Sequence, residues 1–435
     1  MYRPLLIPLV AILCLAAVTP RMLTADDPRQ RPNVLFVFTD DQRFDTIRAL
    51  GNPEIETPTL DRLVQRGFTF TNAYCQGGMS PAVCSPSRTQ LLTGRSVFRI
   101  PHPNKTKQYP RPTLGSVFRD AGYATLCISK PGNSFVAAHN HFEKVVHIPH
   151  SGAASNQKCT DAALEFLKAK PKDKPFFLYY ATPLPHDPRT AEERFHKRYE
   201  PSQLTLSKNF MERHPFDNGA ITIRDEKLAA LPRDPAEMRR HLADYYATIT
   251  SIDYHVGLLL EAIDALGERD NTIVVFSSDQ GLAVGGRHGL MGKQNLYEHF
   301  KSPLIFAGPG IPHGQSDALV YLYDITPTLC QLCKIPVPGE FDGKNLVPIL
   351  TGKSKSVRDA LFAVYIHFQR MARDSRYKLI WYPKVEQYQL FDLQTDPDEL
   401  QNLAGKPEFT ERLNAMKTLL ATLQDEFGDA GPRPK

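Results

Sequence analysis

The sequence predicts an α/β fold: a large mixed, mostly parallel sheet flanked by helices, followed by a small C-terminal α+β subdomain. Three observations carry this expectation. Four short β-branched and aromatic runs are separated by helical patterns, the alternation that builds parallel sheets. Each run is followed closely by charged or amide residues, and ligand sites in open α/β sheets lie beyond the carboxyl ends of strands. With 435 residues and 42% hydrophobic content, the chain can bury one large core and a smaller one.

Taken in order, the N-terminus has Arg3, an apolar stretch from Leu5 to Val18, and small and polar residues at Thr24-Ala25-Asp26. This is the layout of a secretory signal peptide over residues 1–25, and it predicts export to the periplasm or the medium. The stretch is broken by Pro8 and is shorter than the roughly 20 residues that span a bilayer, so no stable membrane anchor is expected. A main domain is expected over 32–345 and a small C-terminal subdomain over 346–435. The four strand runs are Asn33–Phe38, Ala124–Ile128, Phe176–Tyr180 and Thr272–Phe276, and the residues after them are Asp40-Asp41, Lys130, His186 and Asp279-Gln280. Residues 188–241, rich in Pro, Arg and charge, read as an excursion bordering the pocket and a place for substrate choice. Met238 to Leu266 has the apolar spacing of one long helix. Beyond Leu346, Tyr377–Tyr382 and Gln387–Leu393 read as a strand pair.

Seven cysteines include Cys14 in the leader, and a domain of this size needs no disulfide framework. The pair Cys330-x-x-Cys333 sits in an amphipathic helical pattern without a second ligand pair nearby, and reads as core packing. The net charge of +5 falls to +3 without Arg3 and Arg21, a mild excess that suits an anionic substrate. The chain has no basic block or aromatic ladder, which argues against a nucleic-acid partner.

Asp40-Asp41 with Asp279-Gln280 offers carboxylate and amide oxygens, the hard donors preferred by calcium and magnesium. The run Cys84-Ser85-Pro86-Ser87-Arg88-Thr89-Gln90-Leu91-Leu92-Thr93-Gly94 places Cys84 where a helix begins, and backbone N–H groups and the dipole favour an anion there.

This run resembles the signature of the formylglycine-dependent sulfatases, of the alkaline-phosphatase-like superfamily. The likeness extends from about Pro32 to Leu403 and includes Gly285–His299 and Leu390–Leu403. It implies that a formylglycine-generating enzyme oxidises Cys84 to 3-oxoalanine, whose hydrate attacks sulfur. It also implies one divalent ion, expected to be Ca2+ before Mg2+, on Asp40, Asp41, Asp279, Gln280 and the group at position 84. Arg88 would stabilise the attacking alkoxide, Lys130 and Lys293 would contact sulfate, and His186 would be the general acid. His288 would lie near the leaving group. Two departures stand out: Gln280 replaces the usual Asn or His, and Pro131-Gly132-Asn133 follows Lys130 where relatives carry a histidine that serves as a base. His139 or His141 could take over that task, or turnover could be slow. The resulting expectation is an exported calcium-dependent sulfatase acting on sulfated carbohydrate. The two alternatives are a degenerate member that binds sulfated glycans without turnover, and a phosphate or phosphonate ester hydrolase of the same superfamily.

Overall fold

The computed structural model describes residues 31–434; the expected leader lies outside them. Within the described residues, ten strands precede the C-terminal region: β1 Asn33–Thr39, β2 Phe68–Tyr74, β3 Gly77–Gly78, β4 Ala124–Ser129, β5 Lys144–His147, β6 Phe176–Tyr180, β7 Thr272–Ser278, β8 Lys301–Ser302, β9 Leu304–Ala307 and β10 Gly314–Tyr321. Four more follow: β11 Leu361–Tyr365, β12 Gln369–Arg373, β13 Tyr377–Tyr382 and β14 Gln387–Asp392. The large sheet runs β10-β2-β9-β7-β1-β6-β4-β5, with β8 paired to β2. Its centre is parallel, β1 pairing with both β6 and β7, and β4 with β6. Strand β9 is antiparallel to β7 and β2, so the sheet is mixed but mostly parallel, as expected.

All of β1 is buried, which requires cover on both faces. Val34, Phe36 and Phe38 enter one core, and Leu35 and Val37 the other. Cys159, Ala163 and Phe166 of the helix Ala154–Ala169 and Ile252, Val256 and Leu259 of the helix Pro235–Ala265 close the second core. The first core takes Leu91 and Leu92 of the helix Cys84–Thr93 and also Cys330 and Cys333, both buried free thiols. The long helix begins at Pro235 rather than Met238 because Asp234 accepts a hydrogen bond from the Glu237 N–H and proline suits the first turn.

The second sheet, β14-β13-β12-β11-β3, contains the expected β13–β14 pair in antiparallel register. One face packs Leu379 and Leu390 against Met416 and Leu420 of the helix Thr410–Phe427, while Ala363, Met371 and Ile380 join the main core. Its fifth strand comes from far upstream. Gly77 and Gly78 pair in parallel with Val364 and Tyr365. Gly77 has φ +77° and a Cβ there would sit 1.9 Å from the Val364 carbonyl oxygen, and one at Gly78 would sit 2.3 Å from Pro86, so only glycine permits this approach. Among the described residues, no helix is long and apolar enough to cross a membrane.

Candidate active site

Strands β7, β1, β6 and β4 lie side by side, so the residues after their carboxyl ends converge. Asp40 and Asp41 leave β1 through a left-handed turn at Asp41, φ 70°. The turn is held by the Asp41 N–H donating to Asp279 Oδ1 at 2.9 Å and by the Tyr245 hydroxyl donating to the Asp41 carbonyl at 2.6 Å. Asp279 is anchored in turn by Ser87, whose Oγ donates to its main-chain oxygen at 2.6 Å.

Cys84 is the first residue of its helix and is fully buried. Lys293 Nζ and Gln280 Nε2 each lie 3.2 Å from its Sγ, and Asp41 Oδ1 lies 3.6 Å away. Burial, with Asp279, Asp40 and Asp41 behind it, holds the Cys84 thiol well above its ordinary pKa. The unmodified side chain is therefore a neutral thiol and a poor nucleophile. Lys293 Nζ also meets Asp41 Oδ2 at 2.9 Å. Burial works against its charge, but Asp41, together with Cys84, Asp225 and Asp40, outweighs burial and keeps the ammonium well above the usual range. Lys130 pairs with Asp40 Oδ2. His186 Nε2 lies 3.8 Å from Asp41 Oδ2, and its Nδ1 lies 2.7 Å from the Asp187 main-chain oxygen. Burial first, then Lys293, lowers the His186 pKa.

Arg88 stands behind the carboxylates rather than beside the thiol alone. Its Nε donates to Asp279 Oδ2 at 3.0 Å and one terminal nitrogen to Asp40 Oδ2 at 3.2 Å, with both partners fully buried. Burial would raise Asp40, but Lys130 and Arg88, with His186 and Lys293, together outweigh it and hold that carboxyl far below the usual range. Burial and Asp40 push Asp279 up to about 7.

The oxygens of Asp40, Asp41 and Gln280 suit a hard cation. Asp40, Asp41, Cys84 and His186 each offer an atom within 4.8 Å of the others. Asp40 Oδ1 and Gln280 Oε1 are buried acceptors without a hydrogen-bond partner among the described residues, atoms whose desolvation a bound cation offsets.

His288 is not brought to this group. Its Nε2 pairs with Glu298 Oε2 at 2.8 Å and its ring stacks on Tyr297 at 3.9 Å. The left-handed turn at φ 53° directs it toward Glu298. Asn133 is exposed, with φ 48°. Of the alternative bases, His139 is buried between Ser134 Oγ at 3.0 Å and His147 Nε2 at 3.1 Å, and burial lowers it to about 3. His141 contacts Thr113 Oγ1 at 2.9 Å. In the C-terminal part, His367 is exposed and Arg370 is buried against Asp429. Sequence reasoning missed Asp225 and Glu226: Asp225 Oδ2 is 3.9 Å from Lys293 Nζ, and Glu226 accepts the N–H groups of Met291 and Gly292 at 2.9 Å each. Only their place in the charged excursion signalled them.

Carboxylates and lysines gathered about a buried helix-start residue, at the strand ends of a mostly parallel sheet, define an anion-processing site of the alkaline-phosphatase-like fold. A family model described as Sulfatase matches residues 32–335, and one described as N-sulphoglucosamine sulphohydrolase, C-terminal, matches residues 286–426. The chain belongs to the sulfatase family, and its activity is hydrolysis of sulfate esters. It is 26% identical to N-acetylglucosamine-6-O-sulfatase of Bacteroides thetaiotaomicron, over 99% of this chain and 92% of that protein. It is 25% identical to human arylsulfatase A, over 90% of this chain and 88% of that protein. A structure solved in complex with its substrate D-glucosamine-2-N,6-O-disulfate superposes with a TM-score of 0.80 at 23% identity, covering 92% of this chain and 99% of the other. Phosphonate monoester hydrolase of Agrobacterium radiobacter gives 0.75 at 20% identity, covering 91% and 96%.

Proposed function

We propose that this chain is an exported, calcium-dependent sulfatase that removes sulfate from sulfated carbohydrate, after a formylglycine-generating enzyme has converted Cys84. The observation that carries the reading is the environment of Cys84: a buried, neutral thiol at a helix start, facing Lys293 and the Asp41 carboxylate. The carbohydrate class is supported by the similarity to a protein named N-acetylglucosamine-6-O-sulfatase. Export is supported by the leader-like sequence from Leu5 to Val18.

When present, the aldehyde hydrate supplies an oxygen nucleophile in place of sulfur. A calcium ion on Asp40, Asp41, Asp279, Gln280 and position 84 would supply a Lewis acid for a sulfate oxygen. Lys130 and Lys293 bind the remaining sulfate oxygens, and their positive charge offsets the charge redistributed as the ester bond lengthens. Arg88 holds Asp40 and Asp279 in place and helps keep Asp40 ionised. His186 carries its proton on Nδ1 against the Asp187 carbonyl and presents Nε2 to the site. A bound sulfate brings negative charge near this ring and favours protonation at Nε2, from which a proton passes to the departing oxygen.

Asn133 supplies no base, and this motivates the second reading, a glycan-binding member without turnover. Two measurements on protein from its own host decide the matter. The tryptic peptide Gly67–Arg88 should be lighter than its unmodified mass by about 18 Da, the change from a thiol to an aldehyde side chain. Sulfate should be released catalytically from a sugar sulfate, and Cys84→Ala should abolish release. An intact thiol in a host that modifies other such motifs defeats the mechanism, and absence of turnover favours the binding protein.

A further inference from the structure

Arg224-Asp225-Glu226 lies in the excursion between β6 and β7 and reaches both walls of the site. On one wall, the Arg224 guanidinium forks onto Asp187. One terminal nitrogen meets Oδ1 at 3.1 Å and the other meets Oδ2. Asp187 is the residue whose main-chain oxygen fixes His186 Nδ1 at 2.7 Å. On the other wall, Arg224 NH1 donates to Asp225 Oδ1 at 2.7 Å, and Asp225 Oδ2 accepts from Gln294 Nε2 at 2.9 Å. Glu226, braced by Arg233 at 2.6 Å, holds the N–H groups of Met291 and Gly292 just before Lys293.

We propose, on the sulfatase reading above, that Arg224 is a positioning residue: its fork on Asp187 and Asp225 fixes His186 relative to Lys293, so that Nε2 faces the oxygen leaving sulfur. Arg224 is 60% exposed, whereas Asp187 and Asp225 are 9% and 8% exposed. A solvated arginine that only decorated a surface would gain little from holding one geometry against two recessed carboxylates. A planar fork clamped on both instead sets their separation, something a lysine cannot reproduce with one point charge. Among the described residues, His186 Nδ1 is anchored by Asp187 alone, so a shift of Asp187 turns the imidazole. Lys293 has Asp41 and Cys84 as direct partners and keeps its place when Arg224 is cut back.

The consequence is selective. Proton donation matters for an alcohol that leaves poorly and little for a nitrophenolate that leaves well. Arg224→Ala and Arg224→Lys should be compared with wild type on 4-nitrophenyl sulfate and on a sugar sulfate that wild type hydrolyses. For Arg224→Ala the expected result is a fall in kcat of about 10-fold or more on the sugar ester, a part of the roughly 100- to 10,000-fold that a general acid contributes. On the aryl ester the loss should stay under about 3-fold, with KM within about 2-fold on both. Arg224→Lys should fall between. The melting temperature should move by less than about 2 °C, since Arg224 itself is 60% exposed and solvent screens its ion pairs. Equal losses on the two esters, or a loss that follows a fall in melting temperature, overturn the positioning role while leaving the sulfatase reading intact. A wild type that turns over no sugar sulfate overturns that reading and this proposal together.

Discussion

Replacing Arg88 by methionine tests how the buried carboxylates are held. The guanidinium is fully buried and hydrogen-bonds two carboxylates, Asp279 at 3.0 Å and Asp40 at 3.2 Å. Methionine fills much of the same space, so the substitution removes the charge and the donors more than the volume. Asp40 keeps Lys130, and Asp279 keeps the N–H groups of Asp41 and Gln280 at 2.9 and 3.0 Å on its other oxygen. The loss therefore concentrates on Asp279 Oδ2, left buried without its cation. Removing one member of a buried pair typically costs about 3–5 kcal/mol, and the retained contacts place the expected cost near the lower end, about 3 kcal/mol. Urea unfolding with a chelator present measures it, because bound metal adds its own stabilisation. Arg88→Lys, which keeps the charge but loses the fork, should cost less. A loss below about 1 kcal/mol for Arg88→Met would refute the idea that Arg88 holds this charge cluster together.

Three further outcomes are expected. Chelation should abolish sulfate release, and calcium at about a hundredfold over its Kd should restore it and raise unfolding stability by about 2.7 kcal/mol; full activity in chelator would contradict the metal reading. Lys293→Met should lower kcat/KM by about a hundredfold or more, the loss typical of removing one preorganised charge donor at a reacting oxyanion. His139 is held neutral, its pKa lowered by burial to about 3 from an ordinary 6.5. Its contribution is therefore complete above pH 6.5 and shrinks as pH falls toward 3, because the unfolded chain takes up the proton first. Between pH 7.5 and 5 this amounts to about 2 kcal/mol, and His139→Gln should lose that much less stability than wild type over the same interval, read by urea unfolding at both pH values.

The parts of the site carried by single strand ends are legible in the sequence itself. Runs of buried residues bounded by Asp40-Asp41, Lys130 and Asp279-Gln280 appear in the fold as β1, β4 and β7 with those residues at their ends. What escapes a reading of the sequence depends on contacts between distant segments. Arg224-Asp225-Glu226-Lys227 looks like any solvated charge run, and the partners of Asp225 and Glu226 lie 69 and 66 residues away. Strand β3 has two glycines and no hydrophobic alternation to announce it. The surroundings of His288 are hidden for a related reason: a left-handed turn at this residue and a hydrogen bond to the Glu298 carboxylate ten residues on fix the ring, and neither shows in the sequence.

The pairing of Gly77-Gly78 with Val364 and Tyr365 bears on the order of events during synthesis. The segment carrying Cys84 is fastened by residues made much later: Asp279 receives Ser87, and Val364 closes over Gly77. Those residues emerge about 195 and 280 positions after Cys84, or roughly 10–40 and 14–56 s later at 5–20 residues per second. Until then these partners, and the Gln280 and Lys293 side chains that meet the Cys84 sulfur, do not exist. On the proposed reading, an enzyme that modifies Cys84 in an extended peptide would have a time window set by the topology of the fold, and a change that moved these contacts closer in sequence would shorten it.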